Sequence, residues 1–233
     1  MQKWMIRLQG DPNDLELLSE AISGLESHRI ERVEGEWFIS SSVVNYFDSD
    51  AKIREHAKRM LTIIRGYARV YAPVARDVAC TDYLVKIGND GSQSATDIVR
   101  VDYPFVWRVE GTRAKRRFAA DVVDAATDGG DLELLAIMLD REPTWVELYK
   151  MLELIKKAVP DIPPVWATAQ ELVAFCASAN HPAVSGPDSR HGFHRGAPPR
   201  TSKHKDIAQA RELVLRLVGH WLESRDETPR GSG

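Results

Sequence analysis

The chain has few cysteines and no long apolar run, and these absences limit the classes of protein it can belong to. Cys80 and Cys176 are its only cysteines, and neither has a second cysteine or a histidine at zinc-finger spacing. We therefore expect neither a disulfide scaffold nor a structural zinc ribbon. The first residues contain no signal-peptide pattern, and no stretch approaches the roughly 18 apolar residues of a transmembrane helix. The sequence indicates a cytoplasmic protein with no membrane partner.

Several motifs of nucleotide and hydrolase chemistry are also missing. The chain contains no P-loop, no GxGxxG after a strand, no HExxH, no GxSxG and no CxxC. ATP-driven motors, dinucleotide enzymes, zincins and serine hydrolases are therefore disfavoured. The 233 residues carry a net charge of -3 and 43% hydrophobic residues, which is ordinary globular composition. Because the global charge indicates no anionic partner, the search for a binding site depends on local charge.

The first 110 residues have the pattern of a small α+β domain. Apolar residues alternate over 4–8, which predicts a strand with one buried face, and they recur at helical spacing over 15–25. The Glu34-Gly35 pair predicts a hairpin turn between strands at 29–33 and 36–40. A second helix is predicted from about Asp50 to Arg65. Further strands are predicted over 67–72, 82–87 and 97–109.

From residue 112 onward the apolar spacing becomes helical. Helices are predicted over 113–126, 131–140, 143–159, 165–179 and 206–224. The predicted fold class is therefore α+β, with a small N-terminal antiparallel sheet and two helices followed by an all-helical C-terminal bundle. We expect a sensing or scaffold domain over 1–110 and a helical bundle over 112–226.

The segment 180–205 interrupts the helical pattern and differs in charge from the rest of the chain. It contains three glycines, four prolines and four of the seven histidines. Its three arginines and two lysines are opposed only by Asp188, so the local charge is about +4 in a net negative protein. An irregular stretch of this length inside a compact domain is usually functional or disordered.

The residue types in this segment are those of phosphate chemistry. Histidine exchanges a proton near neutral pH, and the arginine fork binds phosphate oxygens. We expect His191 as a base, Arg190 to stabilise a developing phosphorane and Asn180 to orient the substrate, which would suffice for metal-free RNA cleavage. The residues expected to bind the substrate are His181, His194, Arg195, Arg200, Lys203 and Tyr149.

Other interpretations of the same residues stay open. His191 and His194 could bind zinc with His181, His204, Cys176 or Asp188, but the spacing matches no common signature and the nearby cations would repel a metal. We therefore predict no metal and no cofactor. The simplest interpretation is a solvated basic loop that connects two helices.

Two helical stretches are secondary candidates. Trp145, Leu148, Tyr149, Leu152 and Ile155 recur at the spacing of a core stripe, and Tyr149 could leave a polar edge near a site. The basic run 115–117 opens a predicted helix, where the helix dipole favours acidic residues. It is typical of a solvated face, and an anionic partner would relieve its conflict with the dipole.

The motifs of the chain resemble those of known bacterial proteins. The stretch from Trp145 to Ile155, the Asn180-His-Pro motif and the Ser189-Arg190-His191-Gly192 motif resemble a set of bacterial proteins of uncharacterised function, over nearly the whole chain. The C-terminal half is similar, more loosely, to HEPN domains. The matches to the HEPN Arg and His motif are Arg190 with His194 and Arg200 with His204, each one residue closer than in that family. This resemblance implies a helical, dimeric, metal-independent RNase or RNA-binding module of toxin and antiviral systems.

The leading hypothesis from the sequence is a phosphate- or RNA-binding protein, and its enzymatic form is a metal-independent ribonuclease of a toxin or antiviral system. RNA or a phosphate-bearing ligand would bind through 180–205, and a homodimer would form through the helical half. The alternative is a non-enzymatic nucleotide- or protein-binding module that uses the same loop.

Overall fold

The computed structural model describes residues 3–25, 27–47, 49–71, 78–87, 93–96, 120–189 and 206–226. The chain divides into two compact units, Met1–Asp140 and Arg141–Gly233, which we call the N-terminal and the C-terminal unit. The predicted fold class is confirmed, because an antiparallel sheet with two helices comes first and the later described residues are mostly helical. The domain boundary predicted near residue 111, the strand predicted over 97–109 and the basic run 115–117 lie outside the described residues.

The sheet of the N-terminal unit has its first strand in the centre. Its strands are β1 (Lys3–Gln9), β2 (His28–Val33), β3 (Glu36–Ser41), β4 (Ala79–Ile87) and β5 (Gln93–Thr96). Their order is β2-β3-β1-β4-β5, and every neighbouring pair is antiparallel. In the centre, Ile6 lies opposite Ile39 on one side and Leu84 on the other, and all three are buried. The buried face of β1 that the alternation over 4–8 predicted is therefore confirmed.

The opposite face of the sheet is also partly apolar, which the alternation did not indicate. Met5, Phe38 and Val85 form a buried cluster there, and Val33 and Tyr83 are among the residues that pack against it. Arg7 lies 4.7 Å from the centre of the Tyr83 ring, in a cation–π contact. The central strand thus buries apolar residues on both faces, although one face of an antiparallel sheet is commonly exposed to water.

The hairpin predicted at Glu34-Gly35 is confirmed. Val33 pairs with Glu36, so the loop has two residues. Both loop residues have positive φ, at 51° for Glu34 and 92° for Gly35. That combination belongs to the type I′ turn, whose twist matches that of the flanking strands. The turn sets the register that brings Ile30 opposite Ile39 in the core.

Four helices complete the N-terminal unit. They are α1 (Pro12–Ala21), α2 (Asp50–Tyr71), α3 (Ala120–Thr127) and α4 (Asp131–Leu139). Helix α1 begins where the Asp11 carboxylate accepts a hydrogen bond from the backbone N–H of Asn13, at 2.8 Å. The strand predicted over 67–72 is wrong for the residues described there, because α2 runs on to Tyr71. Tyr67 and Ala68 extend the buried stripe of α2 at helical spacing, and burial overrides the strand preference of these residues.

Helix α2 packs closely on α4. A Cβ atom at Gly66 would overlap the backbone oxygen of Ala136 and would lie 2.9 Å from its carbonyl carbon. The Tyr67 hydroxyl, on the same side of α2, donates a hydrogen bond of 2.7 Å to the backbone oxygen of Leu132. Glycine at position 66 therefore permits an approach of the two backbones that any other residue would prevent.

A buried ionic cluster joins the end of α2 to the end of α4. Arg65 lies 2.5 Å from one carboxylate oxygen of Asp140, and Arg69 lies 3.7 Å from the other. Arg65 also donates to the backbone oxygen of Val78, at the entry to β4. Because all three charged side chains are mostly buried, removal of the carboxylate would leave two buried cations without their counter-charge.

The C-terminal unit is built of helices. They are α5 (Trp145–Ala158), α6 (Ala169–Ala179), α7 (Pro182–Ser185) and α8 (Ile207–Asp226). Helices α5 and α6 each begin with a capping box, formed by Thr144 with Glu147 and by Thr168 with Glu171. The predicted core stripe of α5 is confirmed, since Trp145, Leu148, Leu152 and Ile155 are buried. Among the described residues, no helix combines the length and the apolar character needed to span a membrane.

We expect Gly66→Ala to destabilise the protein, because the added methyl group must push α2 away from α4. The cost should be about 1–3 kcal/mol or more, as for other overpacked sites. The matched control is Gly24→Ala, since a Cβ at Gly24 meets nothing within 4 Å. Urea unfolding of both variants measures the effect. Equal stability of the two variants would contradict the close approach of α2 and α4.

Candidate functional site

The structure describes the first part of the basic segment, residues 180–189. Asn180 is the C-cap residue of α6, and His181 precedes the single turn of α7. A 3-10 turn over Gly186–Asp188 follows. The predicted site residues that lie outside the described residues are Arg190, His191, His194, Arg195, Arg200 and Lys203.

Hydrogen bonds close residues 180–189 into a compact turn. The Ser185 hydroxyl lies 3.2 Å from the backbone oxygen of Ala179 and 3.1 Å from that of His181, and it is buried between them. The Ser189 hydroxyl donates to the backbone oxygen of Asn180 at 3.1 Å. Gly186 has a φ of 61°, which lets the chain reverse between these contacts. As a result, the chain enters 190–205 from a point beside Asn180.

His181 has a structural role in this turn. Its side chain is buried, and its Nδ1 accepts a hydrogen bond of 3.2 Å from the backbone N–H of Ala183, which caps α7. A neutral imidazole that accepts at Nδ1 carries its proton on Nε2. The hydrogen bond to Ala183 therefore uses the His181 side chain to begin α7.

Asn180 presents a polar atom with no partner in the described part of the chain. Its Oδ1 is buried and accepts no hydrogen bond from any described residue. Because buried acceptors are nearly always paired, an oxygen without a partner is unusual at this position. It agrees with the predicted orienting role of Asn180, which stays a prediction.

Tyr149 belongs to an aromatic cluster between α5 and α6. Its ring stacks on Phe175 with a centroid distance of 6.3 Å and an interplanar angle of 20°. Trp145 contacts the same ring, with a centroid distance of 6.0 Å. Phe175 is fully buried, so the Tyr149 ring helps to close the core of the C-terminal unit. Its predicted contact with a substrate stays a prediction.

The zinc alternative receives no support from the part of the chain that the structure describes. There, no group of three or more His, Cys, Asp or Glu side chains could hold a metal ion. Of its predicted ligands, Cys176, His181 and Asp188 are described, whereas His191, His194 and His204 lie outside.

A histidine pair in the N-terminal unit was missed by the sequence analysis. His28 on β2 and His56 on α2 are 2% and 7% exposed, and their ring centroids lie 6.0 Å apart. His28 Nε2 lies 3.1 Å from the sulfur of Met60, and the Thr127 hydroxyl lies 3.4 Å from the same sulfur. His28 Nδ1 and His56 Nε2 have no hydrogen-bond partner among the described residues. The available signal was a histidine on the buried stripe of α2, four residues before a buried methionine.

Burial keeps both histidines neutral near pH 7. The pKa of His56 is lowered to about 4, chiefly by burial and also by the neighbouring His28 and Arg59. Burial also lowers the pKa of His28, although the charge of Asp124 on α3 opposes this shift. Asp124 itself accepts a hydrogen bond of 2.6 Å from Ser27, the residue before His28.

Comparison with known proteins gives no relative from which an activity could be transferred. No family model, no curated protein and no solved structure matches this chain. The function has to be argued from the residues themselves.

The lowered pKa of His56 predicts a loss of stability in acid. The unfolded chain takes up a proton near pH 6.5, whereas the folded state does so only near pH 4. Stability is therefore complete above about pH 6.5 and falls as the pH drops toward 4, by about 3 kcal/mol from this group. In His56→Gln this part of the pH dependence should disappear, which urea unfolding between pH 7 and pH 4 measures.

The control for this measurement is His220→Gln, which removes a partly exposed histidine from α8. It should keep the acid sensitivity of the unaltered protein. If His56→Gln kept it as well, His56 would not be the group responsible.

Proposed function

We propose that the protein binds single-stranded RNA through the basic segment 180–205, with the turn over residues 180–189 as its structural base. The observation that carries this proposal is the local charge of about +4 in a chain whose net charge is -3. Nucleic acid binding depends first on such a concentration of cations, because each phosphate contact releases counterions.

Ion pairs in the C-terminal unit support the assignment of the RNA-binding site to the basic segment. Arg211 lies 2.6 Å from the Glu142 carboxylate, Arg216 lies 2.6 Å from that of Glu171, and Arg141 pairs with Glu147. These arginines of the helical framework are therefore neutralised by carboxylates of the same unit. In the sequence of 180–205, by contrast, five cations are opposed by a single acidic residue, Asp188.

The composition of the segment favours RNA over a small phosphate-bearing ligand. Arg190, Arg195 and Arg200 are spaced along the chain, as contacts with successive phosphates require. Phe193 lies among them and could stack on an unpaired base. A combination of cations with an aromatic ring is typical of proteins that bind single strands.

Metal-independent cleavage is the enzymatic form of this proposal. His191 would accept the proton of the ribose 2′-hydroxyl, and Arg190 would stabilise the negative charge that develops on the phosphorus. Asn180 would orient the substrate through its buried amide oxygen. The support for this arrangement is that Ser189, one residue before Arg190, is hydrogen-bonded to the backbone of Asn180.

The test is binding of a fluorescent single-stranded RNA to the full-length protein over a range of salt concentrations. A variant with glutamine at positions 190, 195 and 200 loses three cations of the segment. If each cation contacts one phosphate, the slope of log K against log salt should become shallower by about 2. The control variant has glutamine at Lys150, Lys156 and Lys157, which are three exposed cations of α5. An equal loss of affinity in both variants would contradict the proposal.

Incubation of the same RNA with EDTA distinguishes an enzyme from a binding module. Cleavage that His191→Ala and Arg190→Ala remove, at unchanged melting temperature, would support the ribonuclease. Binding without cleavage would favour the non-enzymatic module.

A further inference from the structure

The histidine pair of the N-terminal unit brings three metal-binding side chains together. His56 and Met60 lie four residues apart on α2, so they project from the same face of the helix. His28 comes from β2, and its Nε2 lies 3.1 Å from the Met60 sulfur. Two imidazoles and one thioether thus converge in a buried position, and neither ring has all of its nitrogens paired among the described residues.

We propose that His28, His56 and Met60 form a binding site for one soft monovalent cation, with Cu(I) as the physiological representative of that class. This site is separate from the basic segment and does not depend on RNA binding.

The distances fit three donors around one ion. A metal–nitrogen bond of about 2 Å places each imidazole centroid roughly 3 Å from the ion, so two ligating rings lie up to about 6 Å apart. The observed separation of the His28 and His56 centroids is 6.0 Å. At the observed ring separation of 6.0 Å the two ligating nitrogens would lie on nearly opposite sides of the ion, and a sulfur at right angles to that axis would lie about 3.1 Å from each nitrogen. The observed distance between His28 Nε2 and the Met60 sulfur is 3.1 Å.

An apolar cleft gives access to two of these donors, His56 and Met60. It has about 250 Å³ of empty space, including its open mouth, and His56 and Met60 are part of its lining. The remaining walls include Trp4, Ile39 and Val44. Such a wall excludes water from the ion, which strengthens binding to neutral nitrogen and sulfur donors.

The donor set selects a soft ion of low charge. Imidazole and thioether ligands suit Cu(I), whereas hard divalent cations require several oxygen ligands. A monovalent ion also brings less charge into a buried site than a divalent ion does. Asp124 on α3 provides a nearby carboxylate that interacts with His28.

Binding requires a change of tautomer at His28 but no net release of a proton. In the free protein Nε2–H donates to the Met60 sulfur, and Nδ1 carries the lone pair. When the ion takes the Nε2 lone pair, the same proton is carried by Nδ1. His56 offers its unpaired Nε2 directly.

The experiment is a titration of the full-length protein, labelled with ¹³C in its methionine methyl groups, with Ag(I) as a redox-inert probe for Cu(I). Met60→Leu assigns the Met60 signal. With Cys80 and Cys176 replaced by serine, so that no thiol competes for the soft ion, we expect this signal to shift and to saturate at one equivalent of Ag(I). The other four methionines are internal controls that should not move with it: Met1, Met5, Met138 and Met151.

His56→Gln removes one ligand and should weaken the shift of the Met60 signal by at least tenfold in Ag(I) concentration. Unchanged signals of Met138 and Met151 would show that this variant is folded. A Met60 signal that does not respond to Ag(I), or that responds equally in His56→Gln, would overturn the proposal. The contact between His28 and Met60 would then be a hydrogen bond only.

Discussion

The N-terminal unit depends on the close approach of α2 and α4 at Gly66. The backbone of Ala136 occupies the space that a side chain at position 66 would need. This contact fixes α2, whose other faces pack on the sheet and carry His56 and Met60. The ion pairs of Arg65 and Arg69 with Asp140 then join the ends of the same two helices. The geometry of the histidine pair therefore follows from the packing of one helix.

In the C-terminal unit, hydrogen bonds within a turn position the candidate site. Its helices neutralise their own arginines with carboxylates, and its core is aromatic around Phe175. The polar groups of 180–189 are largely used to close the turn, as the hydroxyls of Ser185 and Ser189 show. The turn leaves the buried Asn180 amide oxygen without a partner among the described residues, and it places Ser189, which leads into the basic residues, beside Asn180.

Local patterns in the sequence were sufficient for much of the fold. The hairpin at Glu34-Gly35 and the stripe of α5 depend on neighbouring residues, and both were predicted. The strand predicted over 67–72 was wrong because the local residues suit a strand or a helix, and burial of Tyr67 in the tertiary structure favours the helix. The pairing of His28 with His56 was not predictable, because it joins residues on separate elements. Likewise, helical periodicity identified α3 and α4 but does not show which elements a helix packs against.

The central claim is that RNA binds through the basic segment, and photo-crosslinking tests it most directly. The full-length protein would be irradiated with 4-thiouridine-labelled single-stranded RNA, and the crosslinked peptides would be identified by mass spectrometry. The account predicts that the crosslinks concentrate in residues 190–205, with Phe193 and His191 among them. Crosslinks that lie mainly on the helices of either unit, with none in 190–205, would contradict it.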